Sequence, residues 1–542
     1  MKKRKLLFAA WSCNNPKYYA YSTWNTPLRN IFQEVISFDP QEETYRYGKE
    51  IMNKKFIEII KLEKPDYVFL WLIYEEFYID TLLKIKEISP KTKIINYCGD
   101  DDILFSTYSI FYSLFIDYFF VTHPEFIPKY LNKAFLSQAT NTEIFKPLDV
   151  KKKYDVTFIG TPKGNRISFM KYLIDNGIKV RVFGSGWNNF PEFKDHYGGF
   201  IDLENFAKVI NQTRVNICFT KNYEGSSHIN QHPFEVAACN AISLVENSPG
   251  FLKLYKKDKE IITFSSQEEL LEKVKYYLSH QEEGKKISHA AYERTIKDLS
   301  KTKEFEKIFK QIFSDEKKIP NNLQKLKEKA FPLSEKDLLI KVDELIKKLK
   351  DYGYVYFKTK NGKSLKYKKY FSILALKYSR KQICCSDYYV YSNKIGDYLA
   401  LYIYLAFKKL NEKQFRSLLI LDQMMVTKEF FLNNIEKFKE FFSGSKINII
   451  NEKNTAFITI PLARTNKIPN IDFETIKKII WSKFEINIKS LIHQKKIFTD
   501  PYLFHLITEY LKGNTFVLKY LAEKLMSKTK PEIITYFLKL KN

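Results

Sequence analysis

Residues 154–166 read YDVTFIGTPKGNR: an apolar strand pattern stops at Gly160 and passes through a short loop, with Lys163 and Arg166, into the helical stretch NRISFMKYLIDNG of residues 165–177. Strand, glycine turn and helix form the opening unit of a parallel α/β sheet. Free N–H groups at a helix start, the positive end of its dipole and a glycine without Cβ let a diphosphate approach the backbone there, with Lys or Arg to neutralise it. The spacing G-x-x-x-G-x-R matches neither the dinucleotide fingerprint nor the P-loop. A phosphate site and an ordinary tight turn therefore both stand at this point.

The alternation continues on both sides. Downstream, strands are predicted at 179–184, 215–220, 241–247 and 260–264, with helices at 202–213 and 233–239 and a long charged helical stretch over 266–313. Upstream, apolar runs at 5–11, 65–72, 92–98 and 117–123 alternate with amphipathic stretches at 47–63 and 76–89, and a proline-containing charged joint at 145–155 separates the two series. Two tandem nucleotide-fold units follow, over residues 1–148 and 149–315. Residues 316–337 are polar, rich in Lys and carry Pro320 and Pro332, the composition of a linker. Residues 338–542 make a third α/β module. It has strands at 353–359, 382–391, 417–422, 446–451 and 455–461, an almost wholly apolar helix at 397–407 and a helical tail from Asp472. Asp422, which ends one of those strands, is followed by Gln423 and two Met and makes a poor metal site. An accessory role in acceptor recognition or self-association is expected for this module, so a chain ending near residue 330 should keep donor hydrolysis.

With 542 residues, three or four cores of about 150 residues each are expected. Apolar residues at 45% and aromatics at 16% exclude global disorder, and 17 Gly with 18 Pro exclude collagen-like chains. The net charge of +27 comes from 79 Lys and only ten Arg. Readers of bases and phosphates favour the guanidinium fork, so specific nucleic-acid binding is not expected, while an anionic membrane surface or anionic glycan suits the Lys-rich surface. Cys13, Cys98, Cys218, Cys239, Cys384 and Cys385 form no CxxC pair and read as buried thiols of a reducing compartment. The start, MKKRKLLFAAWSCNN, lacks the apolar length and cleavage site of a signal peptide, and no run reaches the eighteen or so apolar residues of a membrane span. The reading is a soluble cytoplasmic protein.

Three further places could carry chemistry. In HINQHPFEVAAC, Pro233 opens a helix and Glu235 lies in its first turn. That acid either complements the helix dipole or takes two vicinal hydroxyls of a sugar, and His228 and His232 just upstream are candidate phosphate donors. The strand at 92–98 runs into Gly99, Asp100, Asp101 and Asp102, and the strand at 117–123 ends on His123. Both lie where the ligand crevice of an open α/β sheet is found, although the aspartates would also cap a following helix. The aspartate run meets a loose D-x-D pattern, but no other hard-oxygen ligands lie near it in sequence, so no metal site is assigned. No nucleophile elbow, zincin or Cys/His signature is present.

Taken together, NYCGDDDILF, DYFFVTHPE, LSQATNTEIFKPL, KKYDVTFIGTPKGNR, VRVFGSGWNN, VNICFT and HPFEVAACNAISLVENSPGFLKLYKKDKEIITF resemble, in order and spacing, the CgeB-like group 1 glycosyltransferases. The resemblance covers residues 1 to about 315. It implies the GT-B fold, two Rossmann-like domains facing a cleft, and transfer of a sugar from a nucleotide-diphosphate-sugar donor on the second domain to an acceptor on the first. The acceptor would be a surface glycan, a glycoprotein or a glycolipid. By the same resemblance Glu235 contacts the donor ribose, Gly160, Lys163 and Arg166 flank the diphosphate, and Trp187 belongs to a Gly-x-Gly-Trp turn of the donor site. Asp100 and Asp101 match the family's GDD, one of them as general base or transition-state stabiliser, with His123 as second candidate. No cofactor beyond the nucleotide-sugar co-substrate and no metal is implied. Two positions depart from the pattern: His232 stands where the family carries Arg, a residue charged only in part at neutral pH, with Lys221 as a substitute cation; and Asn240 replaces a Gly. These departures leave a second reading, a catalytically degenerate GT-B scaffold that binds a nucleotide or sugar.

Overall fold

The computed structural model describes residues 4–315 except 17, 19, 48, 73–75, 102–104, 106–108, 113–114, 163, 185 and 221–228. Beyond 315 it describes 330–334, 336–337, 340–357, 363–364, 372–373, 375–376, 380–392, 397–401, 424–443, 450 and 453–465. The strands expected at 417–422 and 446–451, bar Ile450, and the tail from Asp472 lie outside these residues.

The first sheet consists of β1 (Lys5–Ala10), β2 (Glu34–Phe38), β3 (Tyr67–Trp71), β4 (Lys93–Cys98), β5 (Tyr118–Val121) and β6 (Lys133–Leu136) in the order β2-β1-β3-β4-β5-β6, every pair parallel. Both faces are covered, which is why the inner strands read as unbroken apolar runs. Leu7, Val68, Leu70, Ile94 and Phe119 pack with Met52, Phe56 and Ile60 of α3 (Lys49–Glu63) and Leu82 and Ile85 of α4 (Ile79–Ile88). Leu6, Phe8, Phe69, Ile95 and Phe120 face the other way, onto Trp24 and Leu28. β2 and β6 were not visible as strands in the sequence. They are the two edges, partly exposed, so their apolar residues form no continuous run.

The second sheet has β7 (Tyr154–Ile159), β8 (Val180–Phe183), β9 (Thr213–Cys218), β10 (Ser243–Glu246) and β11 (Ile262–Phe264), order β11-β10-β9-β7-β8, again all parallel. Around it lie α5 (Arg166–Asp175), α6 (Leu203–Gln212), α7 (His232–Ala238), α8 (Gln267–Ser279) and α9 (Gln281–Asp298). The two Rossmann-like parallel units are the architecture of the GT-B fold.

One helix crosses over. α10 (Lys301–Ser314), expected with the second unit, buries Phe305, Phe309 and Ile312 in the core of the first, against Phe32, Phe69 and Phe120. Each such fully buried side chain contributes roughly 1.5–3 kcal/mol to holding the helix on the first unit. The crossing is bridged by Thr140 and Ser300, with Lys301 N–H donating to Thr140 O at 2.8 Å.

The third sheet is mixed. It contains β12 (Ala330–Leu333), β13 (Tyr354–Phe357), β14 (Lys363–Ser364), β15 (Ile383–Ser392), β16 (Asp397–Leu401), β17 (Met424–Thr427) and β18 (Thr455–Thr465), in the order β12-β13-β17-β15-β18-β14 with β16 paired to β15. Two expectations are corrected here. The end of the expected linker is strand β12, parallel to β13, with α11 (Val342–Lys348) between them. The expected apolar helix at 397–407 begins as strand β16, because a run with almost no polar residues carries no period that separates helix from strand. Ile373, Ala375, Leu376, Cys384 and Met425 join the apolar core of the first unit, so the third module and the first unit share one interior. All six cysteines are buried. Among the described residues no helix is long and apolar enough to cross a membrane.

Candidate active site

At the carboxyl edge of the second sheet, β7 and β8 end in direct backbone contact. Gly160 N–H donates to Phe183 O at 2.9 Å, and a Cβ on Gly184, whose φ is +117°, would lie 2.7 Å from Gly160 O. Only glycine fits at 184. Trp187 completes the turn from below: its indole Nε1 donates to Gly160 O at 2.7 Å, and the ring is fully buried between Phe158 and Phe193. Trp187 thus holds the Gly160 end of the loop in place through this hydrogen bond. Arg166, the first residue of α5, donates from its guanidinium to Thr161 O at 3.1 Å and packs over the Phe158 ring, which pins the other side of the loop. Lys163, Lys221 and His228 lie outside the described residues.

Pro233 is the second residue of α7, and Glu235 in its first turn is only 2% exposed. His232 Nδ1 lies 3.4 Å from Glu235 Oε2, and the imidazole leans on the Phe206 ring. Burial opposes the charged imidazole, but the Cys218 sulfur and the Glu235 carboxylate more than offset it and push His232 up to about 10. The sequence suggested a histidine charged only in part at neutral pH. The neighbouring Cys218 sulfur and Glu235 carboxylate, not burial, favour its charged form. Asn240 takes the left-handed conformation, φ +52°, that a glycine would adopt after the helix.

Sequence reasoning missed Glu246. It ends β10, is 1% exposed, accepts from Asn165 Nδ2 at 2.6 Å and from Thr220 N–H at 3.0 Å, and so ties the loop before α5 to the end of β9. Its signal was an acid at the carboxyl end of an apolar strand, the place where crevice residues of open sheets lie. Nearby, among the described residues, the enclosed Ser248 Oγ, Asn230 Oδ1 and Gln231 Oε1 have no hydrogen-bond partner. Such atoms suit a ligand rich in hydroxyls and amides.

On the first sheet the two aspartates part company. Asp101 is 1% exposed and accepts from Tyr130 Oη through both carboxylate oxygens at 2.8 Å, whereas Asp100 is exposed at the end of β4. Asp102 lies outside the described residues. His123 follows β5 and is buried. Thr122 Oγ1 donates to Gly99 O at 2.7 Å, so toward His123 Nδ1, 2.8 Å away, it must accept. The network therefore assigns the imidazole proton to Nδ1 and the lone pair to Nε2, the form a base requires. It also links His123 to the glycine preceding Asp100.

The passage between the units is polar and buried. Lys301 Nζ lies 3.0 Å from Glu304 Oε2 and 4.7 Å from the Trp24 ring centroid; burial lowers its affinity for protons, and Glu304 opposes that. Glu304 also accepts from Ser137 Oγ and Gln138 N–H, and Gln138 Nε2 donates to Thr122 O beside His123. Among the described residues no group of His, Cys, Asp and Glu has a metal-holding arrangement.

Residues 166–309 match the family described as Glycosyl transferase-like. The spore protein CgeB of Bacillus subtilis (strain 168) is 22% identical over 315 residues, 53% of this chain and 89% of that protein. Among solved structures, sucrose-phosphate synthase from Thermosynechococcus elongatus is similar with a TM-score of 0.42 at 10% identity, over 58% of this chain and 100% of that one. Anabaena Alr3699/HepE in complex with UDP and glucose gives 0.42 and 10%, over 57% and 100%.

Proposed function

We propose that this member of the CgeB-like glycosyltransferases moves a sugar from a nucleotide-diphosphate-sugar donor, held at the carboxyl edge of the second sheet, to a hydroxyl of a glycan, glycoprotein or glycolipid held by the first unit. The observation that carries the reading is Glu235, a buried carboxylate in the first turn of a helix, with His232 3.4 Å away. In this reading Glu235 accepts the two ribose hydroxyls, one per oxygen. The start of α5 and the Gly160 loop meet the diphosphate. The acceptor oxygen attacks the anomeric carbon, its proton passes to His123 Nε2 or Asp100, and the anomeric carbon–oxygen bond to the diphosphate breaks. The leaving charge falls on helix-end N–H groups and cations, without a metal. EDTA should leave transfer intact; abolition with rescue by manganese would overturn that part.

The protein would work in the cytoplasm, where the donor is available. One observation favours the alternative of a degenerate scaffold: His232, in place of Arg, turns its charge to Glu235. A thermal-shift screen against UDP, GDP, CDP, ADP and dTDP sugars separates the two from a chain with no donor site. A ligand that binds only the folded state must raise the midpoint. One nucleotide should do so, and Glu235→Ala should abolish the shift; turnover of that donor then distinguishes enzyme from binding protein. No shift with any donor would refute the site.

A further inference from the structure

The excess charge is confined to one part of the chain. Residues 1–315 hold 45 Lys and Arg against 40 Asp and Glu, whereas residues 316–542 hold 44 against 22. The last 227 residues thus carry +22 of the net +27, and only Arg380, Arg416 and Arg464 among their cations are Arg. The described part of the third sheet shows where some of this charge gathers.

Pairings of Tyr354 with Thr427, of Ile383 with Val426 and of Ile383 with Thr455 set four strand ends side by side: the starts of β13, β15 and β18 and the end of β17. The residues at those ends are Lys350, Arg380, Lys381, Lys428 and Lys453, with Lys347 one turn back on α11. The turns are held as one surface. Lys381 Nζ donates to Lys453 O at 2.8 Å, Lys428 N–H donates to Gly353 O, and Lys428 Nζ reaches Lys350 O at 3.4 Å. The acids described around it are Asp351, Glu429, Asp337, which pairs with Lys348, and Asp343 and Glu344 in the first turn of α11. On α11, Ile346, next to Lys347, is 45% exposed, and Val342, one turn back on the same face, is 40% exposed.

We infer that this end of the third module is a docking surface for an anionic lipid bilayer, one that would hold the transferase at a membrane face. Lysines spread along a rim are matched by a diffuse field of headgroups. Recognition of individual nucleic-acid phosphates would call for Arg forks, which this region has in only three places. Exposed apolar side chains next to the rim can enter the headgroup boundary while the long Lys stems keep their charges in water. The inference does not depend on the donor reading, since the donor site lies on another sheet.

The test is flotation of the full chain with phosphatidylcholine vesicles, with and without about a third phosphatidylglycerol. Binding is expected only to the anionic vesicles and should fall steeply as salt rises. The combined variant Lys347→Gln, Lys350→Gln, Arg380→Gln and Lys453→Gln should lose at least about ten-fold in partitioning. Its Arg counterpart at the three lysines should bind as the parent does. Ile346→Asn should weaken binding but keep the need for anionic lipid. Circular dichroism and the melting midpoint without ligand check that the Gln variant is folded; if it is not, the Arg variant and the salt titration of the parent decide. Equal binding to neutral vesicles, no binding to either, undiminished binding by a folded Gln variant, or retention by RNA without vesicle binding would each overturn the proposal.

Discussion

Gly184→Ala tests the reasoning that places the donor loop. An alanine there meets two costs. The backbone at φ +117° is a region that L side chains rarely adopt, a penalty of about 1–2 kcal/mol. The new Cβ would also sit 2.7 Å from Gly160 O and 2.9 Å from Gly160 C, so the β7 turn has to move, an overpacking cost of typically about 1–3 kcal/mol. Gly177, at the end of α5, supplies the control: its φ is +79°, but nothing lies within 4 Å of its Cβ position. Gly177→Ala should therefore cost about 1–2 kcal/mol and Gly184→Ala about 2–5 kcal/mol. Melting of the two variants by circular dichroism gives the difference. The thermal shift with the donor found in the screen should survive in Gly177→Ala and shrink or vanish in Gly184→Ala, because Gly160 is what moves. If both variants melt together and both keep the shift, the Gly160–Gly184 contact does not position a donor loop.

His232, pushed up to about 10 from an ordinary 6.5, stabilises the fold fully below pH of about 6.5, and that contribution is lost as pH rises through about 10. Melting midpoints taken over that range should fall more in the parent than in His232→Gln; parallel curves would contradict the coupling to Glu235 and Cys218. Asp100→Asn should depress transfer while donor binding and melting stay within about 0.5 kcal/mol of the parent, as for an exposed residue. Asp101→Asn should instead lower stability by about 1–3 kcal/mol through its bond from Tyr130, and equal melting of the two variants would argue against that division. The shared core reverses the expectation that a chain ending near residue 330 keeps donor hydrolysis: without the side chains of Ile373, Leu376 and Met425, a chain ending at residue 329 should aggregate or melt well below the full chain by light scattering. A soluble, equally stable truncation would show the shared core to be dispensable.

Much of the architecture follows from local pattern. Strands buried on both faces, such as PDYVFLWL and TKIINYC, read as unbroken apolar runs, and their alternation with amphipathic helices leaves parallel units as the consistent solution. The glycine turn at 160, the acid at 235 and the strand ends at Asp100 and His123 were legible because loops at strand carboxyl ends carry their own residue signature. The remainder depended on neighbours distant in sequence. Whether Phe305 and Phe309 pack on the first sheet or the second cannot be told from their spacing, since either sheet would bury them. The run that opens at Asp397 and continues almost wholly apolar takes its form from β15, its partner strand. Trp187 is a support beneath the loop because folding encloses it, and Glu246 matters because Asn165 and Thr220, 81 and 26 residues away in sequence, arrive at its two oxygens. The same holds for His232. Its protonation is set by the groups folding brings against it in a buried place, and a sequence states residue types and spacing, not the company each one keeps.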